Sequence, residues 1–209
     1  MTTKEYKVVR YEGRELLQSP AWLRQEIDKL GSLSGVAQKL DGPITSYDRC
    51  LYGSVVLYVV FNECNEGLGL LKVGNKQLFL EDKSGQGLRQ VDCQCVLDFY
   101  VKNQRQGLGG LLFEAMLAGE MIEARTLALD RPSEKFLAFM NKNYNLRNFR
   151  HQANKFVVFD EFWDDNVVSA MKPSKERFIA SSYSTTESFN ASSGPPVKMD
   201  FRRKRIPFN

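Results

Sequence analysis

The sequence predicts an α/β (α+β) chain in which strands and helices alternate around one main core. Three observations carry the prediction. Apolar residues make up 43% and charged residues 26% of the 209 positions, the balance of a globular domain and not of a collagen-like or disordered chain. Short β-branched and aromatic runs alternate with segments whose apolar residues recur at three- and four-residue steps. No apolar run reaches the roughly 18 residues that a membrane-spanning helix requires.

Taken in order, YKVVRYEG reads as a short strand, and SPAWLRQEIDKLGSLSGVAQKL as a helix that opens at Ser19-Pro20 and is lined by Leu23, Ile27, Leu30 and Leu33. SVVLYVVF, residues 54–61, is a buried-type strand. GLLKVGNKQLFLED reads as two short strands turning at Gly74-Asn75. CQCVLDFYV suits a sheet covered on both faces. Leu111, Leu112, Ala115, Met116, Leu117 and Ile122 then trace a helix, TLALD a strand, PSEKFLAFMNKNY a helix and KFVVFDEFW a last strand. A domain over 1–168 is expected. The polar stretch SSYSTTESFNASSGPPVK cannot bury enough surface to offset its ordering entropy, so 169–209 reads as a disordered tail.

Charge and cysteine usage narrow the function classes. Residues 181–209 carry Lys198, Arg202, Arg203, Lys204 and Arg205 against Glu187 and Asp200, three of the four net positive charges. A nearly neutral body argues against a nucleic-acid-binding core. The start has no apolar secretory region, so Cys50, Cys64, Cys93 and Cys95 are expected as reduced thiols in the cytosol. With one histidine, His151, a metal site or a Ser-His-Asp arrangement has little raw material.

The segment CVLDFYVKNQRQGLGGLLFEAML passes from strand to helix through Gly107, Gly109 and Gly110. Either these glycines merely permit a tight connection, or the bare amide hydrogens of the helix start form an anion site that a phosphate approaches closely. A phosphate-binding P-loop needs a Lys-Ser/Thr pair, which is absent here, and a dinucleotide fold needs a different glycine spacing.

Gln104-Arg105-Gln106-Gly107-Leu108-Gly109 instead resembles the pyrophosphate signature of the GCN5-related N-acetyltransferases. CVLDFYV, LALDRPSEKFLAFMNKNYNL, LKVGNKQLF and AQKLDGPITS together resemble the α-tubulin N-acetyltransferases over residues 20–163. The loop VKNQRQ is shorter than that family's. The resemblance implies a central mixed, mostly antiparallel twisted sheet flanked by helices. It implies a monomer that transfers the acetyl group of acetyl-CoA to a luminal lysine of α-tubulin in microtubules. It also implies a cytoplasmic, cytoskeletal setting such as a cilium, with no nucleic-acid or membrane partner. Action on another lysine or a small amine, or an idle microtubule-binding protein, are the alternatives.

By that resemblance acetyl-CoA lies along Leu97, Phe99, Tyr100, Val101, Gln104, Arg105, Gln106, Gly107, Leu108, Gly109 and Gly110, then against Ser133, Lys135 and Lys142. The two lysines are two helical turns apart, within about 20° of one face, so they either sit on a solvated face or flank a polyanion. Asp130 matches the catalytic aspartate, although a carboxylate at a strand end also serves as a cap. Cys95 matches the cysteine at the acetyl site, where direct attack in a ternary complex is preferred over an acetyl-cysteine intermediate. Gln38 matches the polar residue at the substrate entrance. Lys72, Lys76 and Asp82 are expected near the tubulin-facing surface.

Overall fold

The computed structural model describes residues 5–85, 87–164 and the backbone of Lys198–Met199. Five helices and eight strands are present among them: β1 (Lys7–Glu12), α1 (Gly13–Leu17), α2 (Ala21–Ala37), α3 (Tyr47–Tyr52), β2 (Val56–Phe61), β3 (Gly67–Glu81), β4 (Leu88–Val101), α4 (Leu108–Glu120), β5 (Ala128–Asp130), α5 (Glu134–Tyr144), β6 (Phe149–His151), β7 (Phe156–Phe159) and β8 (Lys198–Met199). The chain forms two compact units. One comprises the chain up to Gly74 with Val96–Ile122 and β8; the other comprises Asn75–Cys95 with the chain from Glu123. β3 and β4 each contribute to both. The rest of the expected tail, 169–209, lies outside the described residues.

In the first unit β2 is central, pairing antiparallel with β1 from Lys7↔Phe61 to Glu12↔Val56 and with β3 from Val56↔Val73 to Phe61↔Gly67. All six β2 residues are buried, as expected for a strand covered on both faces. Helix α2 docks on this sheet through Leu23, Ile27, Leu30, Gly31, Ser34 and Gly35. Leu23, Ile27 and Leu30 pack into a core with Val9, Leu16, Cys50, Leu57, Val59, Phe61 and Leu70. At the far end of α4, the Glu120 carboxylate accepts from Arg10 Nε at 2.9 Å and from the Tyr58 hydroxyl at 2.6 Å. Those bonds tie the helix to β1 and β2 and so set where its N-terminal glycine turn sits.

In the second unit β7 lies between β5 and β6, antiparallel to both, with Leu129↔Val157 and Arg150↔Val158 in register. Ser133 caps α5 by accepting from the Phe136 N–H. Leu137 and Met140 are buried on that helix while Lys135 and Lys142 are exposed.

Four expectations are corrected. β3 does not turn at Gly74-Asn75. A side chain at Gly74 would stand 3.1 Å from the Ser54 carbonyl oxygen, so that glycine serves close packing. The hairpin turns instead after β3, where Asp82 Oδ1 accepts from the Ser84 N–H and hydroxyl, and Gly85 N donates to the Asp82 carbonyl. Second, Ser19 does not cap α2; its hydroxyl donates to the Leu16 carbonyl, and Pro20 occupies the cap position. Third, Leu33 is exposed and Ser34 takes the buried position on α2. The last strand is also shorter than expected, since residues 160–163 form a 3₁₀ turn.

α2 approaches the following loop so closely that a Cβ at Gly31 would lie 1.9 Å from the Thr45 carbonyl oxygen. Gly31→Ala is expected to cost about 1–3 kcal/mol or more by overpacking, read as a lowered urea midpoint; an unchanged midpoint would contradict this packing. The Cys50 thiol is buried and is pushed up from its ordinary 9.0 to about 11, chiefly by burial. The unfolded chain ionises first, so this thiol's contribution to stability is complete below pH 9.0 and is lost as pH rises towards 11. Cys50→Ala is expected to flatten the loss of melting temperature across that window.

Candidate active site

The polar centre of the first unit is Asp98, a β4 residue only 3% exposed. Its Oδ1 accepts from Ser34 Oγ at 2.6 Å and from Gln38 Nε2 at 2.8 Å, and its Oδ2 accepts from Thr45 Oγ1. Gln38 Nε2 lies also 2.8 Å from Ser34 Oγ. Ser34 and Gln38 are four apart, one turn, which is why both reach the same carboxylate. The loop that brings Thr45 is held by Lys72, whose Nζ donates to the Ile44 carbonyl at 2.6 Å.

Gln38 is placed by its backbone as well. It closes α2: Leu40 N donates to the Gly35 carbonyl and Lys39 N to the Val36 carbonyl, with Lys39 at φ 56°. That is a Schellman termination with a lysine in the left-handed position usually taken by glycine. Gln38 is exposed at this helix end with its amide nitrogen turned inward.

The glycine turn follows β4 in the same unit. Gly107 has φ 78° and Arg105 φ 64°, left-handed residues that curl the backbone and gather amide hydrogens into a concave nest. Gly107 forms the start of α4 with no capping side chain, so the first-turn amides have no intrahelical acceptor. A Cβ at Gly107 or Gly110 would meet nothing within 4 Å, and one at Gly109 would only touch the Phe99 ring at 3.4 Å. Packing therefore requires little of these glycines beyond the φ of Gly107. What they leave is open space above a helix N-terminus, a cradle into which phosphate oxygens fit and which side chains would fill. Gln104, Arg105 and Gln106 are exposed beside it, Leu108 is buried, and Phe99, Tyr100 and Val101 are half-buried. Phe99 rests on Phe113 at 6.0 Å between ring centroids.

In the second unit the Cys95 side chain is fully buried, and its Sγ lies 3.5 Å from the Cys93 carbonyl oxygen. The neighbouring Cys93 and then burial push the thiol well above its ordinary value, so the nucleophilic thiolate is disfavoured. Asp130 ends β5, and Arg131 grips its carboxylate at two points, Nε to Oδ1 at 2.9 Å and Nη2 to Oδ2 at 3.3 Å. Arg131 holds φ 44° while its N–H donates to the Lys155 carbonyl.

Of the three residues expected at a tubulin-facing surface, Lys76 is exposed. Lys72 is 8% exposed and its ammonium is turned inward to the Ile44 carbonyl. Asp82 is engaged in the hairpin turn and pairs with Arg89 at 3.2 Å. Sequence reading missed Asp98, Ser34, Thr45 and Arg131. One signal was present for Asp98, the lone charge in the strand run CVLDFYV.

A strand, an open glycine turn and a helix whose first-turn amides face that opening, built into a mixed α/β chain, make an anion-binding turn of the kind found in acyl-CoA- and nucleotide-binding proteins. The acetyltransferase domain of xEco2, solved with a CoA conjugate, shares this fold at a TM-score of 0.50 and 10% identity, covering 76% of this chain and 98% of that one. The family model described as GNAT acetyltransferase, Mec-17 matches residues 1–188, and the chain belongs to that family. Among similar proteins are the alpha-tubulin N-acetyltransferases of Leishmania major, 42% identical over 70% of this chain and 61% of the relative, and of Danio rerio, 46% identical over 66% and 48%. The Drosophila melanogaster alpha-tubulin N-acetyltransferase 1 is 39% identical over 75% of this chain and 35% of its own length. The chain thus spans between about a third and three-fifths of these relatives.

The glycine turn makes a two-sided prediction about stability. Gly107→Ala is expected to lose about 1–2 kcal/mol, the cost of a left-handed L-residue, whereas Gly110→Ala, inside the helix and in open space, is expected to gain about 0.5–1 kcal/mol. Denaturant titration of both variants checks this, and equal effects would refute the assigned geometry.

Proposed function

We propose that this chain is an acetyl-CoA-dependent lysine acetyltransferase acting on a luminal lysine of α-tubulin in microtubules. The observation that carries the reading is membership of the Mec-17 family together with relatives named for tubulin acetylation. The open cradle at Gly107–Gly110 supports it. Acetyl-CoA supplies an activated acetyl thioester when bound. The amides of the glycine turn, with Gln104, Arg105 and Gln106, hold its diphosphate, while Leu97, Phe99, Tyr100 and Val101 lie along the acyl arm. Ser133, Lys135 and Lys142 at the start and on the exposed side of α5 take the remaining phosphate and sugar charge.

The chemistry requires a neutral lysine amine, and removing its proton at pH 7 costs roughly 4–5 kcal/mol from an ordinary value near 10.4. Gln38 orients that amine and Asp130 stabilises the charge the nitrogen gains on attack. Held at two points by Arg131, the Asp130 carboxylate is kept in one orientation. Cys95 stands at the acetyl site as a protonated thiol that relays a proton or positions the amine, and its burial and raised thiol favour direct attack over an acetyl-cysteine intermediate. The tubulin-facing surface includes Lys76. The protein acts as a monomer on the cytoskeleton.

Incubation with acetyl-CoA and microtubules is expected to acetylate one α-tubulin lysine, mapped by mass spectrometry. Asp130→Asn is expected to lower kcat by about 100-fold or more, the range of a lost charged transition-state contact, with an unchanged melting temperature. Gly110→Val is expected to abolish CoA binding in calorimetry while the protein stays folded. Transfer to small amines in preference to tubulin, or full activity of Asp130→Asn, would refute the reading.

A further inference from the structure

We infer that Asp98 is a positioning residue that fixes the Gln38 amide with its NH2 end inward, so that the Gln38 carbonyl oxygen is the end offered to the attacking lysine amine. The inference rests on the acetyltransferase reading above and goes beyond it in assigning the direction of one hydrogen bond and the residue that sets it.

The orientation follows from donor and acceptor chemistry. A carboxylate only accepts. Ser34 sends its hydroxyl hydrogen to Asp98 Oδ1 at 2.6 Å, so towards Gln38 its oxygen can only accept. The Gln38 atom 2.8 Å from both must then be the amide nitrogen, and Oε1 is the other end of an exposed side chain. The backbone is locked at the same place, where the Schellman termination of α2 fixes Gln38 on the last helical turn.

The carboxylate is costly there, which argues against a merely mechanical anchor. A buried charge is desolvated, and beside the C-terminal end of α2 it faces the unfavourable pole of the helix. A neutral Asn or Ser could tie Ser34, Thr45 and Gln38 together without that cost, but each also carries a donor and would let the amide flip. Only a group that accepts at both atoms makes the amide orientation single-valued.

The direction matters to the reaction. A neutral amine has two N–H donors beside its lone pair, and an oxygen that accepts one of them turns the lone pair to a set direction. As the nitrogen attacks it gains positive charge, so the same bond strengthens in the transition state and acts on kcat more than on KM.

The test uses the full chain in two arms. In the first, the Gln38 side-chain NH2 resonances are assigned by their absence in Gln38→Met. They are expected to be shifted and slow to exchange in the wild type, to move to ordinary free-glutamine positions in Asp98→Ala, to move only part of the way in Ser34→Ala, and to stay in Thr45→Val. In the second arm, with microtubules, Asp98→Ala is expected to lower kcat by about tenfold or more, the worth of a hydrogen bond to a charged group, with KM for acetyl-CoA within about twofold. Adding Gln38→Met to Asp98→Ala is expected to cost nothing further, as for residues acting through one another.

Ser34→Ala is expected to lower kcat more than Thr45→Val at a matched loss of melting temperature, because only Ser34 touches Gln38. That comparison decides the matter alone if Asp98→Ala does not fold. Multiplying effects of Asp98→Ala and Gln38→Met, kcat losses that simply track melting temperature, or an unshifted wild-type amide would overturn the inference. A wild-type protein silent towards tubulin but with a shifted amide that Asp98→Ala releases refutes the tubulin reading and leaves the hold of Asp98 on Gln38 established.

Discussion

The arrangement of the first unit depends on one buried charge. Asp98 receives hydrogen bonds from Ser34, Gln38 and Thr45, and so binds the end of α2 and the loop after it to strand β4. Removing a carboxylate from water costs several kcal/mol, and donors offset this only if each is in place. The consequences run outward from there. Ser34 displaces Leu33 from the buried stripe of α2, Gly31 must be bare so that Thr45 can come close, and Lys72 turns inward to hold the Ile44 carbonyl.

The glycine turn works by the opposite means, with little held by side chains. Its shape comes from the left-handed backbone at Arg105 and Gly107 and from the anchoring of α4 at its far end through Glu120. Because α4 is fixed by Arg10 and Tyr58 and by the buried Leu112, Phe113 and Met116, its N-terminal amides are presented on a rigid element. Such preorganised donors lose no further conformational freedom when an anion arrives. One region of the unit is thus built from a satisfied buried charge, and the other from backbone groups left for a ligand to satisfy.

In the second unit the two groups that sequence reading marked for chemistry have contrasting surroundings. Cys95 is buried with Cys93 close by, and its thiol is held in the protonated form. Asp130 is half-buried and engaged at two points by its sequence neighbour Arg131. A thiol so placed is kept from the thiolate form, whereas a carboxylate with a fixed orientation and some solvent access retains the ability to meet a polar group. The left-handed backbone of Arg131 is the local cost of placing both side chains together.

What the sequence by itself determined is whatever short-range pattern encodes. The apolar spacing of α2, α4 and α5 and the β-branched runs of β2 and β4 were legible, because helices and strands repeat their buried positions at fixed periods. So was the glycine turn, since few residues tolerate φ 78°. The folding of Gly74-Asn75 into a straight strand was not legible, for a glycine that opens a turn and a glycine that admits a neighbour look alike until the neighbour, here the Ser54 carbonyl, is known. Only the tertiary structure decided that Asp98 would find Ser34, Gln38 and Thr45. Those partners stand 64, 60 and 53 residues away along the chain, and no periodicity reports which distant donors a buried charge will meet.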